Sequence, residues 1–414
     1  MAKIKNGQKL TSAELVEVLN YIIKNNQELQ KMGQVPIAAE LIGEAGLGKT
    51  SLIEQVAKLN GLRLVKLNLA QIEELGDLVG FPLRQFQMCK EDDKSICLWV
   101  DEHAVESYEK QGYIFTGQKQ MSYCPPSWIA DASEGGILLL DDYTRADPRF
   151  IQACMELIDR QKYISWDLPK NWHIILTSNP DNGEYLVNAM DDAQKTRYVS
   201  FEMKFDPKGW ALWAEFEGID ERCINFMLHY GEEIINGIGV GDSKSGKKSR
   251  TNPRSLVKFF NSLRGIEDFE KEITLVKMLG EGSVGDYTSD LFVQFITKRL
   301  DKLVSPDFIM SEKYDKVKDA LLDCCGDIHS NKEKTAYKPA IASLLTSRLI
   351  NYSLVKAHKN EVDKKYVTRI IDLVKDKVFG QDLTYNLVKQ VYSAESSKFK
   401  DLTLDSTVAK IILG

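Results

Sequence analysis

The chain has 414 residues, 43% of them hydrophobic and 28% charged, so it can bury a full core and is expected to hold two or three domains of ordinary size. Its formal net charge of -6 argues against charge-driven binding of nucleic acid or anionic membrane over the whole surface. No run reaches the roughly eighteen apolar residues of a membrane span, and no apolar stretch follows the two early lysines. These features predict a soluble, cytoplasmic protein that is not exported.

The seven cysteines are an odd number without a CxxC pair, which predicts no disulfide framework and a reducing compartment. Four possible soft metal ligands fall within one segment: Cys89, Cys97, His103 and Cys124. Their gaps match no common zinc spacing. Ordinary buried thiols are therefore expected there rather than a zinc site.

The first half of the chain alternates strand and helix patterns. Thr11 and Glu14 form a capping-box pattern before an amphipathic helix. Five strands are then predicted, VPIAAELIG, LRLVKLNLA, GGILLLDD, NWHIILTSN and RYVSFEMKF, with helical patterns between several of them. Alternation of this kind predicts an α/β fold in which helices sandwich a parallel sheet.

From about residue 206 the pattern becomes helical. Asp206 with Pro207 and Asn252 with Pro253 each combine a helix cap with proline at the first helical position. The stretch GIGVGDSKSGKKSRT between them has the composition of a flexible loop. Residues 266–414 are predicted to be wholly helical.

Residues 43–50, GEAGLGKT, match the pattern GxxxxGK[ST] in full and lie between a strand and a helix. The glycines let the backbone curl so that its N–H groups and the helix N-terminus point at phosphate oxygens. The lysine adds positive charge near the β and γ phosphates, and the threonine hydroxyl can ligate Mg²⁺. A plain glycine turn is the alternative. The predicted nucleotide-binding residues of this loop are Gly43, Glu44, Ala45, Gly46, Leu47, Gly48, Lys49, Thr50 and Ser51.

Two acidic strand ends compete for the metal site. The first is GGILLLDD, which ends in Asp141 and Asp142, and the second is ICLWVDE, which ends in Asp101 and Glu102. Spacing from Lys49 favours the second, but a capped helix and a strand ending in TSNP follow the first, and this unit gathers polar groups at one sheet edge. The second leads into a segment where no strand is expected before the first. We therefore assign the metal site to Thr50 and Asp141, and interpret the rival as a solvated turn on an insertion.

GEAGLGKT, GDLVGFP at 76–82, GGILLLDDYTRADP, TSNP and NPRSL together resemble the AAA+ ATPases, and among these the MoxR-type and dynein-related branch. The stretch that begins DPKGWALWAEFEGIDERC resembles the opening of that branch's helical lid. The similarity spans about residues 30–265. It implies a P-loop AAA+ core at 1–205 with an insertion at about 83–134, and a lid at 206–265. Residues 266–414 lie outside it as a C-terminal helical domain.

The resemblance implies ATP and Mg²⁺ as cofactors and a role for each matching residue. Asp141 would hold Mg²⁺, Asp142 stands where a glutamate usually polarises the attacking water, and Asn179 matches the sensor residue that orients that water. Arg197 stands where the family has an arginine finger aimed at the neighbouring subunit's nucleotide, and Arg254 matches the lid arginine. The alternatives are a turn residue for Asn179, a surface charge for Arg197, and for Arg254 a charge that solvates a helix start or complements nearby acidic residues. Arg145 falls where relatives carry an arginine of an Asn-Arg pair.

Aspartate at 142 is one methylene shorter than glutamate, which places the carboxylate about 1 Å farther from the water and can cost roughly a hundredfold in rate. Mg²⁺, Lys49 and an arginine supplied in trans act on charge in the transition state regardless. The hypothesis is therefore slow ATP hydrolysis by a homo-oligomeric, hexameric ring that remodels or activates a partner protein. In this branch the partner often carries a von Willebrand factor A domain.

Two other functions stay open. The first is an ATP-binding switch or scaffold with little hydrolysis. The second is a DNA-associated motor or loader, supported by the basic stretch KSGKKSRTNPR, with Lys244, Lys247, Lys248, Arg250 and Arg254. No aromatic residues interleave this stretch for base stacking, so a solvated loop is favoured. The aromatic residues of the insertion either pack on the sheet edge or form a pore or partner surface. They are Trp99, Tyr108, Tyr113, Phe115, Tyr123 and Trp128.

Overall fold

The computed structural model describes residues 9–130, 134–182, 185–188, 190–236, 251–327 and 336–413. It divides into two units, Met1–Lys204 and Phe205–Gly414. The strands in the described ranges all lie in the first unit: β1 (Ala38–Ile42), β2 (Arg63–Asn68), β3 (Phe81–Lys90), β4 (Cys97–Asp101), β5 (Tyr113–Cys124), β6 (Gly136–Asp141), β7 (Lys162–Tyr163), β8 (Trp166–Asp167), β9 (Trp172–Ser178) and β10 (Tyr198–Glu202). Its helices are α1 (Ser12–Lys31), α2 (Lys49–Leu59), α3 (Leu75–Val79), α4 (Val105–Glu109), α5 (Ser127–Ala130), α6 (Pro148–Arg160) and α7 (Asp192–Lys195).

Five of these strands form one sheet in the order β10-β1-β9-β6-β2, and every neighbouring pair runs parallel. They are the five strands that the sequence predicts, so the predicted α/β fold with a parallel five-stranded sheet is confirmed. β6 and β9 are buried along their whole length. Their nearly continuous apolar sequences are the form expected of a sheet that is covered on both faces.

Helices cover both faces of the central sheet. Alternate residues of a strand point to opposite faces, so the side chains of β6 enter two different clusters. Ile137 and Leu139 of β6 belong to a buried cluster with residues of α1 and α2. Leu138 and Leu140 belong to another buried cluster with residues of α3 and α6. The first helix begins as predicted, at a capping box formed by Thr11 and Glu14. Because these strands run parallel, the carboxyl ends of β1, β6 and β9 meet at one edge of this three-layer unit.

The segment between β2 and β6 contains a second sheet of three antiparallel strands in the order β4-β3-β5. The prediction that no strand follows Asp101 before residue 136 is wrong, because β5 occupies Tyr113–Cys124. Most of β5 is exposed, so it lacks the apolar run that reveals a buried strand. Asp101 is the last residue of β4 and is not part of the central sheet. The rival acidic strand is therefore remote in topology from the carboxyl edge of β6.

Cys89 and Cys97 face each other across the β3–β4 pair and are joined in a disulfide, with 4.0 Å between their Cα atoms. The expectation of ordinary buried thiols is wrong here, since this pair is oxidised and Cys124 is exposed. Among the residues with described positions, no group of three or more His, Cys, Asp or Glu side chains is arranged to hold a metal ion.

The aromatic residues of the predicted insertion divide into two groups, apart from Trp99. Tyr123 and Trp128 pack edge-to-face on Tyr163 and Trp166 of the β7–β8 hairpin and border the core beneath α6. Three others pair within this segment: Tyr108 with Tyr113, and Phe115 with Phe86. Trp99 lies on β4 with about a third of its surface exposed.

The second unit is helical in its described residues, as predicted. It contains α8 (Pro207–Phe216), α9 (Glu221–Asn236), α10 (Pro253–Leu263), α11 (Ile273–Val284), α12 (Asp286–Thr297), α13 (Pro306–Ser311), α14 (Tyr314–Cys325), α15 (Pro339–His358), α16 (Lys364–Asp376), α17 (Gln381–Ala394) and α18 (Ser406–Leu413). Asn252 and Asp206 cap their helices as expected. Throughout the described ranges, every helix is too short or too polar to cross a membrane.

A buried ion pair joins the two predicted parts of the second unit. Arg348 of α15 is 3% exposed, and its Nε donates to Oε1 of Glu215 on α8 at 2.6 Å. Its Nη1 donates to Oδ1 of Asn225 on α9 at 2.6 Å. Burial raises the pKa of Glu215, and the Arg348 charge opposes that rise. The predicted lid at 206–265 therefore packs on the helices after residue 265, and the domain limits themselves stay predictions.

Candidate functional site

The loop between β1 and α2 has the conformation that its glycines predict. Gly46 and Gly48 have φ of 82° and 92°, in the left-handed region that other residues rarely adopt. Gly48 is the N-cap of α2 and supplies no side chain, so the first N–H groups of the helix receive no side-chain cap. A helix N-terminus with backbone donors of this kind binds anionic groups such as phosphate.

Lys49 lies inside the loop and is only 8% exposed. Its Nζ donates to the carbonyl oxygens of Gly43 at 2.5 Å and Glu44 at 3.1 Å, and to Oδ1 of Asn179 at 3.1 Å. Asn179 directly follows β9 and is 5% exposed. The structure therefore brings together the two residues that the sequence places 130 positions apart. A buried ammonium beside helix-end N–H groups creates strong positive potential within this loop.

Thr50, Asp141 and Thr177 form a second polar group next to this lysine. The Thr50 hydroxyl lies 3.3 Å from Oδ1 of Asp141, at the end of β6. The Thr177 hydroxyl donates to the same oxygen at 2.5 Å and accepts from the Asp142 N–H at 3.1 Å. Thr177 is fully buried, so water cannot replace its hydroxyl. A hydroxyl beside a carboxylate oxygen is the donor set that Mg²⁺ prefers, so Thr50 and Asp141 fit the metal that the sequence predicts there.

Lys66 of β2 is a partner of Asp141 that sequence reasoning missed. Its Nζ lies 2.8 Å from Oδ2 of Asp141. Burial alone would raise the pKa of Asp141, but the Lys66 ammonium and the hydroxyls of Thr177 and Thr50 hold that pKa below its usual value. Asp141 is thus a carboxylate at neutral pH, which a metal ligand must be.

Asp142, the predicted base, lies at the surface end of this group. Its backbone is left-handed, with φ of 55° and ψ of 37°, a conformation that aspartate tolerates better than most residues. Its carboxylate Oδ2 lies 3.9 Å from Nη1 of Arg145, and both side chains are partly exposed. That separation describes a weak, solvent-screened ion pair. Asp142 consequently remains accessible beside the buried Asp141.

Tyr185 is a second residue that sequence reasoning missed. Its hydroxyl donates to Oε2 of Glu44 at 2.5 Å and accepts from the Ala45 N–H at 3.2 Å. Asn182 also donates to the Glu44 carboxylate, at 3.3 Å. The chain after Asn179 is thereby tied to the apex of the glycine-rich loop. No sequence pattern marks Tyr185, because its partners lie about 140 residues away.

The two predicted arginines lie in different units. Arg197 precedes β10, the edge strand of the central sheet, and its Nη1 donates to the Ala193 carbonyl of α7. Arg254 is the exposed second residue of α10 in the second unit, and Asn252 and Ser255 form the capping box around it. Their roles toward nucleotide stay predictions. The basic residues Lys244, Lys247, Lys248 and Arg250 of the predicted nucleic-acid stretch lie outside the described residues.

Comparison with known proteins finds no family model that matches this chain. Among solved structures, a RuvB variant from Thermotoga maritima is similar over 71% of this chain and 74% of that chain, at 12% identity and a TM-score of 0.35. A second RuvB structure, described as a Holliday junction branch migration motor, has 11% identity and a TM-score of 0.33 over 69% and 68% of the two chains. PCH-2 of C. elegans has 15% identity and a TM-score of 0.31 over 70% and 68%. Likenesses at this level say nothing about activity.

Proposed function

We propose that this protein binds ATP with Mg²⁺ and hydrolyses it. The observation that carries the proposal is the single cluster at the carboxyl edge of the sheet, where Lys49 meets Asn179 and Thr50 meets Asp141. In a site of this design the backbone N–H groups around Gly48 bind the phosphates, and the Lys49 ammonium neutralises their β and γ charge. Thr50 and Asp141 would hold Mg²⁺, which would supply Lewis-acid stabilisation of the negative charge on the phosphates.

Binding of a fluorescent ATP analogue with and without Mg²⁺ tests this part of the proposal. Lys49→Ala is expected to weaken binding at least tenfold, and Asp141→Asn to remove most of the Mg²⁺ dependence. Lys58→Ala is the matched control, because Lys58 is an exposed lysine at the opposite end of the same helix. Mg²⁺-independent binding that all four proteins share equally would contradict the proposal.

Asp142 is the base that we propose for hydrolysis, with Asn179 orienting the attacking water. The carboxylate accepts the proton of that water as the water oxygen bonds to the γ-phosphorus and the bond from that phosphorus to the β–γ bridging oxygen breaks, which releases ADP and phosphate. Turnover is expected to be slow because aspartate reaches about 1 Å less far than glutamate. Asp142→Asn should abolish hydrolysis and keep binding, whereas Asp142→Glu should raise turnover by up to about a hundredfold. Equal turnover in wild type and Asp142→Asn would exclude this base.

We further propose a homo-oligomeric ring, hexameric by analogy with the MoxR-like AAA+ branch, in which Arg197 completes the neighbouring subunit's site. A finger supplied in trans makes turnover per subunit rise with protein concentration. Arg197→Ala should reduce turnover at least a hundredfold without weakening nucleotide binding. Lys195→Ala, which changes an exposed cation two residues away, is the control and should leave turnover unchanged. Turnover per subunit that is independent of concentration would count against the ring.

The work done by this ring would be remodelling or activation of a partner protein, with Arg254 of the lid coupling nucleotide state to the helical unit. The resemblance to the MoxR-like branch supports this class of task, and a partner with a von Willebrand factor A domain would fit it. The Asp142→Asn variant loaded with ATP is the bait for its capture, because a blocked site prolongs a transient complex. Lys49→Ala, expected not to bind ATP, is the matched control bait.

The second candidate function is a scaffold that binds ATP with little hydrolysis. The geometry at Asp142 supports this candidate. The Asp142 carboxylate reaches less far than a glutamate would, and Arg145, at 3.9 Å, lies beside it where an attacking water would have to approach. Analysis of protein-bound nucleotide after prolonged incubation separates the two candidates. Intact ATP throughout would favour the scaffold, and accumulated ADP would favour the ATPase.

A further inference from the structure

Lys66 is a charged residue beside Asp141, the proposed Mg²⁺ ligand. The proposed function gives it no role. It lies on β2, the edge strand next to β6, where the parallel register pairs Lys66 with Leu139 and Asn68 with Asp141. Because side chains two residues apart in a strand share a face, Lys66 lies on the same face as Asn68. Its four-carbon stem spans the offset along the strand and brings Nζ to 2.8 Å from Oδ2 of Asp141.

Both oxygens of the Asp141 carboxylate have partners in this arrangement. Oδ1 accepts from the Thr50 and Thr177 hydroxyls, and Oδ2 faces the Lys66 ammonium. A hydroxyl can keep its contact when a cation binds to the carboxylate. An ammonium at contact distance cannot, because it would repel a divalent ion placed on the same carboxylate. Mg²⁺ and Lys66 therefore compete for Asp141.

We propose that Lys66 is a built-in counter-ion of Asp141 that Mg²⁺ must displace when ATP binds, so that Lys66 sets the Mg²⁺ concentration needed for nucleotide binding. The inference rests on the proposed ATP and Mg²⁺ site. Displacement is possible because the Lys66 side chain is long and 43% exposed, whereas Asp141 is held by the buried Thr177 hydroxyl. The departing ammonium regains water, so the exchange costs little beyond the lost ion pair.

The test is a Mg²⁺ titration of the binding of a fluorescent, slowly hydrolysed ATP analogue, with the half-saturating Mg²⁺ concentration as the readout. Lys66→Met removes the charge and keeps the stem, and it is expected to lower the half-saturating concentration about threefold to tenfold. Lys66→Gln should do the same, which protects the test if one variant folds poorly. Lys66→Arg keeps the charge and should stay within twofold of wild type. Lys58→Met loses an equal charge at a distance and should match wild type.

The possible outcomes distinguish a failure of this inference from a failure of the proposed ATP and Mg²⁺ binding. A half-saturating Mg²⁺ concentration that is unchanged or higher in both neutral variants overturns the competition, even where wild type binds Mg²⁺ and nucleotide normally. A second arm measures binding of the analogue in EDTA. Weaker binding there in Lys66→Met would mean that Lys66 contacts phosphate, which also overturns the proposal. Absence of nucleotide binding in wild type would refute the proposed function and this inference together.

Discussion

His173 gives the first unit a calculable sensitivity to acid. It is the second residue of β9, is 1% exposed, and has Nδ1 at 3.4 Å from Nδ2 of Asn26. The Asn26 amide is oriented by Ile37, whose N–H donates to Oδ1 and whose carbonyl accepts from Nδ2. Nδ2 must then donate to Nδ1, which requires an unprotonated Nδ1. A doubly protonated ring would set a donor against a donor, in a site that water cannot reach.

Burial lowers the pKa of His173 from 6.5 to about 4. Because the folded pKa lies below the unfolded one, the neutral ring contributes its full stability above pH 6.5. That contribution falls as the pH decreases and is exhausted below about pH 4. Linkage between these two values gives a loss of about 2 kcal/mol at pH 5 and about 3 kcal/mol at most.

His173→Leu removes the titrating ring and keeps an apolar side chain in the core. We expect its stability to fall about 2 kcal/mol less than that of wild type between pH 7 and pH 5. The protein is unfolded in urea at each pH, and a short hydrogen-exchange pulse at one fixed pH then labels the unfolded fraction. Exchange measured in peptides that cover β9 assigns the unfolding to this sheet. His103→Leu alters an exposed histidine of the insertion and should follow wild type. Parallel losses in His173→Leu and wild type would refute the reasoning.

Three further outcomes are expected. Thr177→Val removes a buried hydroxyl shared by two aspartates and should destabilise the first unit by about 2–4 kcal/mol in urea unfolding, against about 1 kcal/mol for Thr177→Ser. Arg348→Ala leaves Glu215 buried without its charge partner and should cost about 3–5 kcal/mol by calorimetry, much of which Arg348→Ala combined with Glu215→Leu should recover. Alkylation of the unreduced, unfolded protein should label five cysteines, and seven after reduction; labelling of Cys89 or Cys97 before reduction would contradict the pairing.

The central sheet could be predicted from the sequence because its strands are buried on both faces. GGILLLDD and NWHIILTSN are apolar runs too short for helices and are bounded by glycine, asparagine or acidic residues. Each run also ends in a polar residue at its carboxyl end. In a parallel sheet these ends lie together, so the chain order alone brings Asn179 and Asp141 to the edge where Lys49 and Thr50 lie.

The insertion could not be predicted in the same way. Its longest strand, YIFTGQKQMSYC, is largely exposed, and its polar residues interrupt any alternation that would mark a strand. Its pairing with β3 supplies the backbone hydrogen bonds that hold it. The Cys89–Cys97 disulfide depends on the separate register between β3 and β4, because it forms only where these strands place the two residues opposite each other. Spacing along the chain does not reveal that alignment.

The contacts of Asp141 illustrate a second limit. Lys66 and Thr177 reach this carboxylate because the sheet order places β2 and β9 on either side of β6. Strand order is a long-range property, and a single sequence gives the strands without giving their neighbours. Lys66 looks like an ordinary surface lysine in LRLVKLNLA. Its importance depends entirely on which strand is adjacent.

The backbone around Asp142 bears on whether an aspartate here can reach as far as a glutamate would. A shorter acid could match the reach of glutamate if the chain moved by about 1 Å toward the water. Here the Asp142 N–H is held by the buried Thr177 hydroxyl, and its carbonyl accepts from the Arg145 N–H at 2.9 Å. The left-handed conformation at this position also costs less for aspartate than for a longer side chain. Local backbone geometry thus favours aspartate while it opposes the shift that would compensate for its length, so the choice of acid and the slow hydrolysis that we propose would have a common structural origin.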